Sequence, residues 1–381
     1  MPVSTGTTAL GTATVDLAAI AHNLRVLSDV AGVGVLAVVK AGGYGHGALP
    51  VARTLVDAGA VGLGVAHVGE AVALREGGIA APVTAWLHTP DTDFESAIAA
   101  DVDVAVSSSR QLDAVVAAAA RRGETASVTV KVDTGMNRGG VAAPEWPAFV
   151  EAFGRAHAAG AVRLHGAMAH LACGDEPENP ANDEQAAGLR AAVDDLRRIG
   201  AQPELVHLAN TPAALTRPDL AFDAVRPGIG VYGLNPVPRH STADLIPAMT
   251  LRTQVSLVKQ VSAGSGISYG HTYRAPADTV VAVIPVGYAD GVPRLLSGRL
   301  RVRINGRDFT GVGRICMDQF VVDLGPDGGG VVEGDEVTLF GTGADGGPTA
   351  REWADLTDTI DYEIVTGIGP RIARVYTGGG A

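Results

Sequence analysis

Lys40 ends an apolar run, residues 33–39, and is followed by Ala41-Gly42-Gly43-Tyr44-Gly45-His46-Gly47. An amine at the end of a buried strand, next to a glycine-rich loop that can pass close to a ligand, suits a Schiff-base lysine. A solvated cation before an ordinary turn gives the same local pattern. Lysine usage separates the two readings. Only three of the 29 cationic residues are lysines, Lys40, Lys131 and Lys259, and the rest are arginines. Where arginine serves for any positive charge, a retained lysine points to a need for a primary amine, since a guanidinium forms neither an imine nor a carbamate. Lys40 and Lys131 both end apolar runs.

The elements that must position these amines follow a regular pattern. Apolar runs at 33–39, 61–66, 83–87, 102–106, 127–133, 164–169, 205–208 and 222–225 alternate with segments of helical period, among them 17–27, 48–58, 111–121, 146–158 and 183–199. Such alternation predicts parallel strands joined by helical crossovers. Eight units in roughly 240 residues predict a (β/α)8 barrel over residues 10–245. A doubly wound sheet would need a dinucleotide-type glycine pattern after the first strand, and the spacing after Lys40 does not supply it. From about residue 246 the texture changes. Alternating runs at 249–261, 279–285, 299–304, 311–324 and 336–340, with a hairpin signal at Asn305-Gly306, predict a second, mainly antiparallel β domain over 246–381. Residues 1–9 are expected to associate with that domain, and 350–355 is its one helical segment.

In barrels of this kind the C-terminal strand ends carry the chemistry. Those ends collect Lys40; Lys131 with Asp133 and Arg138; His170; Asn210 with Thr211; and Arg226 followed by Gly228, Ile229 and Gly230. The Thr211 hydroxyl and the N–H groups of 228–230 fall where barrels commonly bind phosphate. An amine plus an anion corner suggests a phosphorylated aldehyde cofactor, pyridoxal 5'-phosphate. A phosphosugar aldolase fits the same residues. Each position also has a plain structural role: a core histidine at His170, a neutralising Arg226, a helix cap at Thr211. Their convergence on one face favours a site.

Composition narrows the partners. The formal charge of −12 argues against nucleic acid and anionic membranes. No apolar segment reaches a membrane span, Met1–Thr8 lacks the features of a signal peptide, and two cysteines, Cys173 and Cys316, give no disulfide framework. A small-molecule enzyme of the cytoplasm, without a metal site, is expected.

Further segments complete a resemblance. Val38-Val39-Lys40-Ala41-Gly42-Gly43-Tyr44-Gly45-His46-Gly47, Lys131 through Arg138, His165 through Asp175, His207 through Thr211, Arg226 through Gly233, Ser268-Tyr269-Gly270, Val286 through Gly291, Gly313 through Asp318 and Asp361-Tyr362-Glu363 occur in this order. From about Thr14 to Tyr376 the chain resembles the alanine racemase family. The resemblance implies a fold-type III pyridoxal enzyme that interconverts L-alanine and D-alanine for peptidoglycan and works as a head-to-tail homodimer. Lys40 would carry the cofactor as an internal aldimine and act as one catalytic base. Tyr269, given across the interface, would be the other. His170 and Arg226 would tune Tyr269, with Arg226 also facing the pyridine nitrogen. Tyr44, Asn210, Thr211, Gly228, Ile229 and Tyr362 would hold the cofactor around its phosphate. Arg138 would bind near the phenolic oxygen and the substrate carboxylate, which the Met317 N–H would also take. Lys131 matches a lysine that can be carbamylated. Asp175, Arg294, Arg314 and Ile360 match the substrate entrance.

The chain departs from the family pattern at Gly42, where an acid or amide is usual, and at Thr211, where serine is usual. Racemisation of another amino acid, a decarboxylase of the same architecture and a non-catalytic cofactor carrier are the competing functions. Arg226 argues against the decarboxylase, because a carboxylate partner for the ring nitrogen would be expected there. Tyr269 and Met317 argue against the carrier.

Overall fold

A computed structural model describes residues 10–344 and 346–379. The expected association of residues 1–9 lies outside those residues. The chain forms two compact units. One comprises residues 20–43 and 48–245; the other comprises the described residues among 10–19, 44–47 and 246–379.

The chain opens with strand β1 (Gly11–Asp16). Eight strands then follow: β2 (Gly34–Val38), β3 (Gly62–Val65), β4 (Val83–Ala85), β5 (Asp103–Val106), β6 (Ala126–Lys131), β7 (Val162–Met168), β8 (Leu205–His207) and β9 (Ala224–Val225). β2 to β9 pair in parallel and close into a barrel, with β9 returning to β2 through Gly34–Ala224 and Val35–Val225. These are the eight apolar runs of the sequence. They read as continuous rather than alternating because the barrel strands are buried on both faces; β3 and β5 are buried throughout. The intervening helices turn one stripe inward, as Leu112, Val115, Ala118 and Ala119 do on Ser109–Arg122.

The second unit holds a nine-stranded sheet. Its remaining strands are β10 (Met249–Gln254), β11 (Leu257–Val261), β12 (Gly266–Ile267), β13 (Tyr273–Arg274), β14 (Thr279–Ile284), β15 (Arg301–Ile304), β16 (Arg307–Val312), β17 (Phe320–Gly325), β18 (Glu336–Phe340) and β19 (Ala373–Thr377). The order is β11-β14-β17-β16-β15-β18-β10-β1-β19, antiparallel except for β1 beside β19, while β12 and β13 form a separate hairpin. Asn305 and Gly306 both take positive φ in the β15–β16 turn, as the hairpin signal requires.

Four sequence expectations need correction. β1 belongs to this sheet, pairing with β10 and β19, although residues 10–16 fall in the stretch assigned to the barrel. Residues 44–47 also belong to the second unit. The run 311–324 is two strand ends separated by a turn at 313–319, where Gly313 has φ of 67°. The β unit has a second helix, Asp361–Thr366, beside Ala350–Thr357.

Candidate active site

Lys40 follows β2 directly, and the backbone then turns the unusual way. Ala41, Gly42, Gly43 and Tyr44 have φ of 53°, 63°, 65° and 51°, one turn of left-handed helix. That turn costs L-residues roughly 1–2 kcal/mol each, and two glycines remove the cost at its centre. Glu70, which the sequence reading missed, anchors the turn. Its carboxylate accepts from the Ala41 N–H at 2.7 Å and the Ala66 N–H at 2.8 Å. A Glu at the third position of Val68–Glu76 is legible as a capping-box residue, but its reach to Ala41 is not.

Four basic side chains, Lys40, Lys131, Arg138 and Arg226, share the barrel's site. Burial holds the Lys40 amine below its ordinary range, Arg138 and Arg226 add to that, and Glu70 opposes it. Lys131, at the end of β6, is lowered for the same reasons: burial first, then Arg138 and Arg226. The loop bearing Arg138 returns to its own base through Asp133 N–H to Val141 O (3.1 Å) and Val141 N–H to Lys131 O (2.8 Å).

Arg226, following β9, is 4% exposed. It donates through Nη2 to the Ala169 carbonyl at 2.9 Å and to Nδ1 of His170 at 2.9 Å, and through Nη1 to Nδ1 of His207. A guanidinium only donates, so both histidines accept at Nδ1 and carry their proton on Nε2. Burial and the Arg226 charge push both imidazoles well below their usual range, which keeps them neutral. His207 lies in a motif noted in the sequence, yet only the structure gives it this role. Gln185 is a second addition. It accepts from Ala172 N–H at 2.9 Å and donates to the His170 carbonyl at 2.9 Å, fixing the segment after β7.

The phosphate corner has a definite construction. Thr211 Oγ1 accepts from the N–H groups of Gly228 (3.1 Å) and Gly230 (3.2 Å). Asn210 caps the short helix Thr211–Thr216, accepting from Ala213 N–H at 3.3 Å. Thr211 and Ile229 are buried, and among the described residues their own N–H groups find no acceptor. Orphaned buried donors are rare and need an explanation. Together with a desolvated amine and a proton-holding guanidinium, they fit a pyridoxal phosphate.

The β unit carries the other predicted residues. Tyr44 and Tyr362 approach each other with ring centroids 6.3 Å apart. Tyr269 sits at the tip of the β12–β13 hairpin and is 71% exposed; Met317, in the turn between β16 and β17, is 52% exposed. Tyr269 and Met317 line one surface cavity with Ser268, Gly270 and Asp318. The Cys316 and Met317 carbonyls accept from the Tyr288 and Ala289 N–H groups, both at 3.0 Å, whereas the Met317 N–H has no acceptor among the described residues.

Comparison with known proteins identifies the family. Residues 15–236 match the model of the alanine racemase N-terminal domain, and 248–376 match that of the C-terminal domain. Alanine racemase from Mycolicibacterium smegmatis is 58% identical over 363 residues, covering 95% of this chain and 93% of its own. The Mycobacterium tuberculosis alanine racemase is 56% identical over 376 residues, 98% of each chain. The crystal structure of alanine racemase from D-cycloserine-producing Streptomyces lavendulae superposes with a TM-score of 0.95 at 45% identity, covering 98% of both chains. The chain belongs to the alanine racemase family.

Proposed function

We infer that this member of the alanine racemase family interconverts L-alanine and D-alanine, and that it uses two bases to do so. The observation that carries the reading is the desolvated Lys40 amine sharing its site with Arg226, a guanidinium held between two neutral histidines. Pyridoxal phosphate, when bound, supplies the electron sink that makes the substrate α-hydrogen acidic. The chain's residues do the rest.

A lysine below its ordinary range keeps more of its amine neutral near pH 7, so Lys40 can bond the cofactor and accept a proton on one face of the α-carbon. The partner subunit's Tyr269 takes the opposite face. A phenol that serves as a base needs a hydrogen-bond donor to its oxygen. His170 is built for that role, because its Nδ1 is occupied by Arg226 and its Nε2 bears the proton. Arg226 keeps its own proton, so a ring nitrogen facing it would stay unprotonated and the bound cofactor would be a weaker sink, which would disfavour side reactions. Tyr44, Asn210, Thr211, Gly228, Ile229 and Tyr362 would hold the cofactor around its phosphate. Arg138 and the partner subunit's Met317 N–H take the substrate carboxylate. Carbamylation of Lys131 is part of this reading: its amine is lowered by burial and two guanidiniums, and only a neutral amine adds carbon dioxide. Intact-mass and peptide analysis would reveal one added carbon dioxide at Lys131.

The exposure of Tyr269 and Met317 supports a homodimer, since neither residue has work to do on a free surface. No helix of the described residues is long and apolar enough to cross a membrane, in keeping with a cytoplasmic enzyme that supplies D-alanine to the cell wall.

The test follows α-hydrogen exchange and chirality in heavy water for L-alanine, L-serine, L-lysine and L-arginine. Exchange with inversion, fastest for alanine, is expected. Inversion of another amino acid in preference to alanine would keep the mechanism and overturn the substrate. Release of carbon dioxide without inversion would replace racemisation by decarboxylation.

A further inference from the structure

Ser268 holds a backbone conformation that its residue type should avoid. Its φ is 63° and its ψ −173°, a region essentially reserved for glycine. Glycine would sit there without strain, so the serine side chain must supply something. Its hydroxyl donates to the Arg314 carbonyl at 2.6 Å and lies 3.4 Å from Cys316 Sγ. Both partners belong to the 313–319 turn that presents the Met317 N–H. The two segments are also pressed together. A Cβ on Gly313 would stand 2.6 Å from the Ile267 carbonyl and 3.0 Å from Ser268 Cβ, and one on Gly270 would stand 3.1 Å from Arg314 Nη1. Tyr269, next in sequence, extends into solvent from this junction.

We propose that Ser268 is a positioning residue that locks the hairpin tip to the 313–319 turn, so that Tyr269 and the Met317 N–H reach the partner's substrate as one rigid piece. The base and the carboxylate donor then keep a fixed spacing, which is what a second base on one face of a small substrate requires. Ser268 touches neither substrate nor cofactor; it acts through its neighbours. The inference rests on the two-base reading above.

Ser268→Gly is the sharpest variant, because it removes the hydroxyl and the strain together. The measurement compares it with wild type, Ser268→Ala and Tyr269→Phe as purified holoenzymes in heavy water. It reads melting temperature, cofactor uptake by absorbance, KM for alanine, and the ratio of inversion to α-hydrogen exchange. Ser268→Gly is expected to melt no lower than wild type and to take up cofactor normally. Its inversion-to-exchange ratio should fall about tenfold, with exchange from the Lys40 face persisting, and its KM for alanine should rise. Activity would thus fall without a loss of stability, which a serine needed only for folding cannot produce. A wild-type ratio and KM in Ser268→Gly would overturn the proposal. So would a parallel loss of melting temperature, cofactor uptake and both rates in the two serine variants. Full inversion by Tyr269→Phe would overturn the two-base reading itself, and the positioning role with it; normal behaviour confined to the serine variants would overturn the positioning role alone.

Discussion

The barrel's site and the Tyr269–Met317 surface are opposites in the same chain. Around Arg226 the polar groups are buried and matched donor to acceptor, and His170 and His207 have their tautomers set. At the β12–β13 tip the Tyr269 phenol is exposed and the backbone of Ser268 before it is strained. The first region is finished within one chain. The second has the form of a component made for delivery. On the proposed two-base reading, a preorganised half joined to an exposed half would confine function to the assembly, because neither half would turn over substrate alone.

The comparison can be broken from either side. Tyr269→Phe should cut racemisation by about 10²–10⁴-fold in both directions, the usual worth of a general base, because inversion either way needs a group on each face; chiral chromatography would measure it. Because Tyr269 is exposed, its melting transition should stay within about 0.5 kcal/mol of wild type. Equal losses of activity and stability would erase the contrast. Arg226→Ala should do the reverse in kind. It strands two imidazole nitrogens and a carbonyl in the interior, and denaturant unfolding should show a loss of about 2–4 kcal/mol in addition to lost activity.

Acid should separate the regions as well. His88, His170 and His207 are all depressed by burial, His88 to about 4. Below the ordinary value of 6.5 the unfolded chain binds these protons and the folded chain does not. Stability therefore falls as pH drops through 6.5, by about 1.4 kcal/mol per pH unit for each histidine kept neutral. Thermal melts from pH 7.5 to 5 should decline accordingly, and flat melting temperatures would contradict the neutral assignment.

The smallest effect concerns the left-handed turn after Lys40. Gly43→Ala should cost about 1–2 kcal/mol, since φ is 65° and the new methyl would stand 3.2 Å from Ala48. Gly42→Asn should cost less, because nothing lies within 4 Å of a Cβ there and asparagine tolerates this conformation. Calorimetry of the two variants would rank them.

Legibility in the sequence also divides along this line. The barrel's strands were readable because burial on both faces leaves uninterrupted apolar runs, and Lys40, Lys131, His170, Thr211 and Arg226 then fall at one end by topology alone. Strand β1 was not readable, because Gly-Thr-Ala-Thr-Val-Asp is short and its partners, β10 and β19, lie more than two hundred residues away. The contacts that end this strand are local instead: Asp16 caps the helix Leu17–Ala31 through the Ala18 and Ala19 N–H groups, at 2.9 and 3.2 Å. His207 and Glu70 escaped because their roles are set by a single long-range contact each. Tyr269 and Met317 were reachable only through the family resemblance, since nothing local in Ser-Tyr-Gly or Cys-Met-Asp distinguishes a base or a carboxylate donor from a turn.

The shared site is tested most directly by complementation. Lys40→Ala and Tyr269→Phe are each expected to be nearly inactive as homodimers. Mixed under conditions that exchange subunits, they should form hybrids in which one site holds Lys40 from one chain and Tyr269 from the other. Racemisation should return toward about a quarter of the wild-type rate, because about half of random dimers are hybrids and each has one intact site of two. No recovery, with hybrid formation verified by native mass spectrometry, would show that Lys40 and Tyr269 do not serve one site across the subunit boundary.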